Sequence, residues 1–182
     1  FPEGNVDAAA RLYDSSPFAR AMNRAAAEAL TAALPTQTSG RPLNVLEIGA
    51  GTGGTTASVL AALPLTNVRY AFTDVSPLFV ARARDRFRND PRVESRVLDI
   101  ESPPARDSVA YDLIIAANVL HAARDLRQTL HRVRSLLAPG GLLMVIEATS
   151  RLRWVDLTFG LTDGWWKFED TDLRPDDPLI DP

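Results

Sequence analysis

Six polar side chains lie at or just after the ends of apolar runs of the length expected for buried β-strands. They are Glu47, Asp74, Asp99, Asn118, His121 and Glu147. Two of them suit proton transfer, because a neutral imidazole is a good general base and a carboxylate on its other ring nitrogen fixes one tautomer. If the strands before His121 and Glu147 are neighbours, this pair can meet. The alternative for His121 is a histidine in a loop before a helix, and His131, in mid-helix, is expected on the surface.

A glycine-rich segment follows the first of these apolar runs. Residues 43–48 read LNVLEI and residues 49–54 read GAGTGG, which predicts a buried parallel strand, a tight turn and a helix. Glycine suits the turn because Gly49 and Gly51 allow positive φ and let the backbone touch a ligand. Since the amides at the start of the helix would face that ligand, the segment is predicted to cradle a nucleotide-type cofactor.

The glycine spacing fits two kinds of cofactor. Gly49, Gly51 and Gly54 also satisfy the dinucleotide pattern G-x-G-x-x-G. Glu47, however, stands where dinucleotide-binding strands carry an apolar residue, so a nicotinamide-dependent reductase is the weaker interpretation. A structural turn with an incidental acid is weaker still, because a buried carboxylate without a partner is costly.

Asp74 ends the second predicted strand. An acid at this position is well placed to accept hydrogen bonds from ribose hydroxyls, which supports a nucleoside. Its alternative role is to cap the next helix, but Ser76 followed by Pro77 already supplies a cap there.

Strands and helices alternate along the chain. Strands are predicted at 43–48, 68–73, 93–98, 111–117 and 142–146, and helices at 16–34, 55–63, 78–88 and 124–137. Such alternation gives right-handed crossovers and predicts an α/β fold with an open, doubly wound, mostly parallel sheet. Ligands of these sheets bind at the carboxyl ends of the strands, where the six polar residues fall.

Length and composition limit the classes of protein that the chain can be. Its 182 residues are 46% hydrophobic, enough for one domain with one core. A net charge of −3 offers no basic surface for nucleic acid, and neither a membrane-spanning run nor a signal segment is present, so we expect a cytoplasmic protein. With no cysteine and two histidines, we expect no metal site.

The two ends differ from the central pattern. Within one domain over 1–182, we expect a helical segment at 1–36, a cofactor-binding core at 43–150 and an aromatic-rich tail at 151–182. The tail could cap the pocket or be an ordered loop on the sheet edge, and its polar stretch 174–178 is predicted to be a boundary. The chain begins without methionine, so we expect a piece of a longer polypeptide.

These motifs resemble those of a known family. The run from Glu47 through Gly49 and Gly51 to Gly53 resembles motif I of class I S-adenosylmethionine-dependent methyltransferases. Nearly the whole chain from Tyr13 onward resembles the methyltransferase domain of modular polyketide synthases, notably in LNVLEIGAGTGGTT, YDLIIAANVLHAARDLRQTL and FGLTDGWWKFEDTDLRPDDPL. The resemblance implies a Rossmann-like class I fold, S-adenosyl-L-methionine as donor and S-adenosyl-L-homocysteine as product.

The resemblance also implies roles for individual residues. Glu47 would lie near the methionyl ammonium of the donor, where opposite charges attract. Asp99 and Ile100 would receive the adenine edge, and His121 with Glu147 would form the catalytic dyad. Further positions are assigned to the cofactor side, Gly49, Gly51, Gly53, Asp74 and Asn118, and to the substrate side, Tyr13, Asn23, Trp165 and Trp166.

The implied reaction is methylation of the α-carbon of a β-ketoacyl chain on an acyl carrier protein, with neighbouring synthase domains as further partners. Three alternatives stay open: O-methylation of a β-hydroxyl, a non-catalytic structural domain, and the nicotinamide-dependent reductase. Family members generally carry helical lid residues before this core and an antiparallel hairpin after it. Neither is found in the sequence, so we expect a sheet without that hairpin.

Overall fold

The chain folds around a parallel β-sheet. The computed structural model describes residues 10–34, 40–63, 67–103 and 109–180. Within these ranges the strands are β1 (Leu43–Ile48), β2 (Val68–Asp74), β3 (Val93–Val97), β4 (Tyr111–Ala117) and β5 (Leu137–Ile146). Their order is β3-β2-β1-β4-β5, and every neighbouring pair is parallel. The predicted α/β fold with a doubly wound sheet is therefore confirmed.

Helices precede and connect the strands. They are α1 (Pro17–Ala33), α2 (Gly54–Ala62), α3 (Pro77–Arg86), α4 (Leu126–Leu136) and the short α5 (Arg153–Asp156). Single turns lie at Arg11–Ser15, Leu120–Ala122, Phe159–Leu161 and Asp163–Trp166. None of the helices in the described ranges is long and apolar enough to cross a membrane.

The beginning of α1 follows its prediction. The Ser16 hydroxyl accepts a hydrogen bond from the Ala19 amide at 3.1 Å, and Pro17 occupies the first helical position. Most of the remaining N-terminal segment predicted at 1–36 cannot be compared in this way, because residues 1–9 and 35–36 lie outside the described ranges, as does most of the loop that follows.

α4 and β5 differ from their predicted bounds. α4 begins at Leu126 rather than at residue 124, because the Asp125 carboxylate accepts a hydrogen bond from the Gln128 amide at 2.9 Å and so caps the helix there. β5 begins directly after α4 and includes the Pro-Gly-Gly stretch at 139–141, which lies between the predicted helix at 124–137 and the predicted strand at 142–146. The pairing with β4 shifts between Tyr111 and Leu113, so this stretch is accommodated as an irregularity in the strand pair.

The central strands are buried on both faces. Val45 and Leu113 pack with residues of α1 and α2, whereas Leu46 and Ile114 pack with residues of α4 on the opposite face. All four side chains are fully buried. This two-sided burial explains why apolar residues stand at consecutive positions in β1 and β4 rather than alternating with polar ones.

The tail packs onto the core. Trp165, Val155 and Leu179 form a small buried cluster, and Ile180 contacts the cluster formed by Leu120 and its neighbours. Arg174 is only 1% exposed. The charge of Arg174, in the segment 174–178, is therefore buried against Asp170, whereas the boundary predicted there stays a prediction.

Gly49, at the end of β1, is fixed by backbone conformation and by packing. Its φ is +60°, and a Cβ added there would lie 2.3 Å from Cγ2 of Val119, in the loop after β4. Gly51 and Gly53 also have positive φ, as the sequence predicts. Glycine is thus required at position 49 for two reasons: the turn needs positive φ, and the loop that carries Val119 leaves no room for a Cβ.

We expect Gly49→Ala to lower the free energy of unfolding by about 2–5 kcal/mol, because a left-handed backbone costs about 1–2 kcal/mol and overpacking adds about 1–3 kcal/mol. Gly140→Ala is the matched control, since its φ is +75° and an added Cβ meets nothing within 4 Å. It should lose about 1–2 kcal/mol. Urea unfolding measures both, and equal losses would show that Val119 moves aside without cost.

Candidate functional site

His121 and Glu147 meet at the carboxyl ends of β4 and β5. These strands are neighbours, with Ala117 paired to Ile146, so the condition set by the sequence is met. His121 Nδ1 lies 2.7 Å from Oε2 of Glu147. The side chains are 18% and 9% exposed, respectively, so solvent competes little for this contact.

The carboxylate of Glu147 has both oxygens engaged. Its Oε1 accepts hydrogen bonds from the amides of Val119 and Leu120, at 2.7 and 2.6 Å. Because Oε2 accepts from the imidazole, the proton lies on Nδ1 and the lone pair of neutral His121 lies on Nε2. Within the described part of the chain, Nε2 has no hydrogen-bond partner. The arrangement can therefore accept a proton at Nε2.

Asn118 shapes the loop that carries His121. Its φ is +52°, and its amide donates to the Ile146 carbonyl at 2.7 Å, which continues the strand pairing by one residue. Asparagine tolerates the left-handed region better than most residues. The chain then turns through Leu120–Ala122, with Leu120 buried, so the position of His121 is set by the backbone around it.

Asp74 joins the loops that follow β1 and β2. Its Oδ2 accepts from the Gly51 amide at 2.9 Å and its Oδ1 from the Ser76 amide at 2.8 Å. Burial raises the pKa of Asp74, and these two hydrogen bonds oppose that rise. Ser76 occupies the N-cap position of α3 with Pro77 after it, as predicted, but its side chain makes no capping hydrogen bond, so Asp74 holds this turn. Each carboxylate oxygen keeps lone pairs for further donors, such as ribose hydroxyls.

Glu47 lies beneath the glycine loop and is 1% exposed. Its Oε2 accepts hydrogen bonds from the hydroxyls of Thr56, at 2.5 Å, and Tyr70, at 2.6 Å. Burial raises the pKa of Glu47 to about 7, although both hydroxyls lower it. The sequence did not indicate these partners, which make a buried acid tolerable here. Its predicted place beside an ammonium group stays a prediction.

Asp99 and Ile100 lie after β3, at the outer part of the rim. Asp99 is exposed, and its two oxygens accept from the Glu101 amide at 2.9 Å and the Ser102 hydroxyl at 2.8 Å. Ile100 packs against the core cluster on the α4 side. Because Asp99 is exposed, a ligand can reach this turn. The predicted contact of Asp99 and Ile100 with an adenine edge stays a proposal.

Asn23 braces three elements rather than facing open solvent. It is 8% exposed, its amide donates to the Tyr13 carbonyl at 3.3 Å, and its Oδ1 accepts from Thr55 at 2.8 Å. Asn23 thereby joins the turn Arg11–Ser15 and α1 to the start of α2. This places Tyr13 against the glycine loop.

Asp14 was missed by the sequence analysis. It accepts from the Thr52 hydroxyl and from Arg86, both at 2.5 Å. Arg86 also donates to the Thr52 carbonyl. This arginine of α3 therefore connects the glycine loop to the N-terminal turn, in addition to lying on the charged face of its helix. An acid in a turn outside any periodic pattern gives no signal for such a role.

An aromatic row links the N-terminal turn to the imidazole. Tyr13 lies 6.4 Å from Phe159, Phe159 lies 5.8 Å from Trp165, and Trp165 lies 5.2 Å from His121, measured between ring centroids. Trp165 is buried, whereas Trp166 is 45% exposed and donates to the Gly160 carbonyl. The tail therefore contributes a wall beside His121, which favours the interpretation as a cap.

Tyr13 keeps its phenolic proton. Burial, and then the negative charge of Glu147, raise the pKa of Tyr13 to about 12. At neutral pH this side chain is a hydrogen-bond donor and not a base. Acidic and histidine side chains of the described ranges form no group of three that could hold a metal ion.

Known proteins resemble the chain in sequence and in fold. A family model described as a methyltransferase domain matches residues 46–143. The non-reducing polyketide synthase mapC of Penicillium roqueforti is 42% identical over 165 residues, which cover 87% of this chain and 7% of the synthase. The chain thus spans a small fraction of this relative.

Two solved structures are similar over most of the chain. The CurJ carbon methyltransferase superposes with a TM-score of 0.92 and 48% identity, covering 99% of this chain and 49% of that one. The trans-methyltransferase CalH, solved in complex with SAH, has a TM-score of 0.70 and 39% identity, covering 90% of this chain and 45% of that one.

Glu47 is expected to make stability depend on pH. Its pKa of about 7 in the fold lies above the ordinary value of 4.5, so the folded state binds the proton more tightly. The stability that this provides is complete below pH 4.5 and is lost as the pH rises through 7. Relative to Glu47→Gln, wild-type stability should fall by about 3 kcal/mol across this range.

Urea unfolding at a series of pH values measures this difference. The glutamine oxygen can accept the same two hydroxyl hydrogen bonds without titrating, so other titrating groups cancel in the comparison. A difference between wild type and Glu47→Gln that stays constant with pH would show that the Glu47 carboxyl does not take up a proton in this range.

Proposed function

Because the chain belongs to the methyltransferase domain family and is an S-adenosylmethionine-dependent methyltransferase, we propose that it methylates the α-carbon of a β-ketoacyl intermediate. In this proposal an acyl carrier protein presents the intermediate, and the chain is one domain of a polyketide synthase. The observation that carries it is the His121–Glu147 pair, with Nε2 available at the rim of the sheet. A similar structure named as a carbon methyltransferase and a relative named as a polyketide synthase support the carbon acceptor and the context.

The residues around the glycine loop fit S-adenosylmethionine. The loop has positive φ at Gly49, Gly51 and Gly53, and a Cβ at Gly51 would meet nothing nearer than 3.9 Å, so the backbone there is open to close approach. Asp74 would accept the ribose hydroxyls, and α2 begins without a side-chain cap, which leaves its first amides for a ligand. When bound, the cofactor supplies an electrophilic methyl group on a sulfonium.

The rest of the rim completes this assignment. Asp99 and Ile100 would bind the adenine edge, Asn118 would line the cofactor side at the end of β4, and Glu47 would face the ammonium group from beneath the loop. A cation beside Glu47 would favour its ionised form, against the effect of burial.

His121 takes the proton in the proposed reaction. The α-carbon of a β-ketoacyl thioester lies between two carbonyls, so loss of its proton leaves the electron pair delocalised over both oxygens. Nε2 accepts this proton, and Glu147 stabilises the imidazolium that forms. The α-carbon then makes the new bond to the methyl group as the bond between that methyl group and the sulfonium sulfur breaks, and the electron pair of the broken bond stays on sulfur in the thioether product. The imidazolium afterwards returns its proton to water.

Tyr13 and Trp165 would serve the acceptor side. The phenol of Tyr13 can donate a hydrogen bond to an acceptor carbonyl, where negative charge develops as the proton leaves. Trp165, beside the imidazole, would keep water from this space, so that electrostatic interactions there are stronger. Asn23 would act by holding the Tyr13 turn in place.

The other interpretations fare differently. The nicotinamide-dependent reductase is not retained, because the chain belongs to the methyltransferase family. O-methylation would use the same base on a β-hydroxyl proton, and a carbon methyltransferase among the similar structures makes it the second choice. A non-catalytic domain would not need the ordered contacts of Glu147.

We expect Glu147→Gln to reduce methyl transfer by about 10²–10⁴-fold, the usual contribution of a general base. The glutamine NH₂ would donate to Nδ1 and force the proton onto Nε2, which could then no longer accept one. His121→Ala should have a similar effect. Calorimetric titration with S-adenosylmethionine should show unchanged affinity in both variants.

His131→Ala is the matched control, because this second histidine is exposed on α4, and it should retain full turnover. Turnover of Glu147→Gln close to wild type would contradict the role of the pair. Loss of donor affinity in both variants would instead show that the pair belongs to the cofactor site.

The acceptor atom can be identified with S-adenosylmethionine that carries a ¹³C methyl group. Carrier-bound β-ketoacyl and β-hydroxyacyl substrates are supplied separately, and the products are examined by NMR after hydrolysis. We expect a carbon-bound methyl group from the β-ketoacyl substrate and no product from the other. An oxygen-bound methyl group from the β-hydroxyacyl substrate would support the second choice.

A further inference from the structure

Arg174 is a buried charge in the tail that the proposed reaction does not use. Its side chain is inaccessible to solvent and pairs with Asp170, with 2.8 Å between Nε and Oδ1. The other oxygen of Asp170 accepts from the Leu126 amide at 2.9 Å, at the start of α4. The pair is thus embedded between the tail and the loop that precedes this helix.

The guanidinium donates to the loop that carries the imidazole. Its Nη1 binds the carbonyl of His121 at 3.0 Å, and its Nη2 binds the carbonyl of Ala123 at 2.7 Å. Longer contacts reach the carbonyls of Arg124 and Pro178, both at 3.3 Å. Arginine suits this position because its planar fork points several donors in fixed directions at once.

The loop is therefore held from two sides. Glu147 binds the amides of Val119 and Leu120 and the imidazole itself, whereas Arg174 binds carbonyls at His121 and just after it. Rotation of the backbone at His121 would break contacts of both kinds. Burial of an ion pair gains little stability compared with apolar packing, so stability alone does not explain the arrangement.

We propose that Arg174 is a positioning residue, which fixes the backbone of His121 so that Nε2 points at the proton it removes. This inference rests on the proposed function. Misplacement of a catalytic group by about 1 Å can cost about 10²-fold in rate. Arg174 touches neither donor nor acceptor in this view and acts through the main chain.

The test compares Arg174→Lys with wild type in the intact protein. Lysine keeps the charge beside Asp170 but loses the fork, so we expect kcat for methyl transfer to fall about 10²-fold. KM for the carrier-bound substrate and the calorimetric affinity for S-adenosylmethionine should change little. Asp170→Asn removes the charge that pairs with Arg174 but keeps the guanidinium. It should show a smaller loss of kcat, and it provides a second variant if Arg174→Lys does not fold.

Two controls separate positioning from stability. Arg127 pairs with Asp172 at 2.7 Å between the same helix and tail, but both side chains are exposed, and Arg127→Lys should leave kcat unchanged. Val68→Ala destabilises the core at the opposite end of β2 and should lower the melting temperature without lowering kcat. A wild-type kcat in Arg174→Lys, or an equal loss in Val68→Ala, would overturn the inference.

A second readout does not depend on the reaction. Nitrogen-15 NMR detects the His121 Nδ1–H that is bonded to Glu147, and we expect this signal to shift or broaden in Arg174→Lys but not in Arg127→Lys. An unchanged signal in Arg174→Lys would refute the positioning role, whether or not wild type methylates the carrier-bound substrate. Absence of methylation by wild type, together with a shifted signal in Arg174→Lys, would refute the proposed function but not the effect of Arg174 on His121.

Discussion

The site depends on the carboxylate of Glu147, both oxygens of which accept hydrogen bonds. Glu147 receives two backbone amides on one oxygen and the imidazole on the other. Three donors can converge there only because β5 lies beside β4 and because the chain turns directly after Asn118. Because β4 is buried on both faces, it holds β5, and therefore Glu147, in a fixed place beside it. The apolar core thus determines where the carboxylate of Glu147 can meet His121.

The other buried acids have a similar structural use. Asp74 joins the loops after β1 and β2, Glu47 joins β1 to α2 and β2, and Asp170 joins the tail to α4. Each accepts hydrogen bonds from groups on another element, which offsets the cost of burial. As a result the loops at the rim are tied to one another by carboxylates, and they stay fixed without regular secondary structure.

The sequence predicted the strands, the helices and the polar residues at the strand ends, because these leave a local pattern of apolar and polar residues. The strands and the polar residues at their ends follow from the apolar runs, whereas the meeting of His121 with Glu147 was predicted only on the condition that β4 and β5 are neighbours, which the structure shows. The sequence did not indicate the burial of Arg174, because an arginine near prolines and acids has the composition of a solvated segment. Its burial depends on carbonyls that are distant in sequence, although the acid four residues earlier was a usable sign. The constraint on Gly49 by Val119 likewise joins two loops that no local pattern connects.

Glu147 also separates the roles of the two titratable rings near it. Its charge helps to raise the pKa of Tyr13 to about 12, so the phenol keeps its proton, while its Oε2 accepts a hydrogen bond from Nδ1 of His121 and leaves Nε2 as the acceptor. In the proposed reaction the imidazole therefore removes a proton and the phenol donates a hydrogen bond to the oxygen that becomes negative. Such a division requires both rings to lie near one carboxylate, and the aromatic row through Phe159 and Trp165 provides it by holding the N-terminal turn and the tail on the same side of the rim.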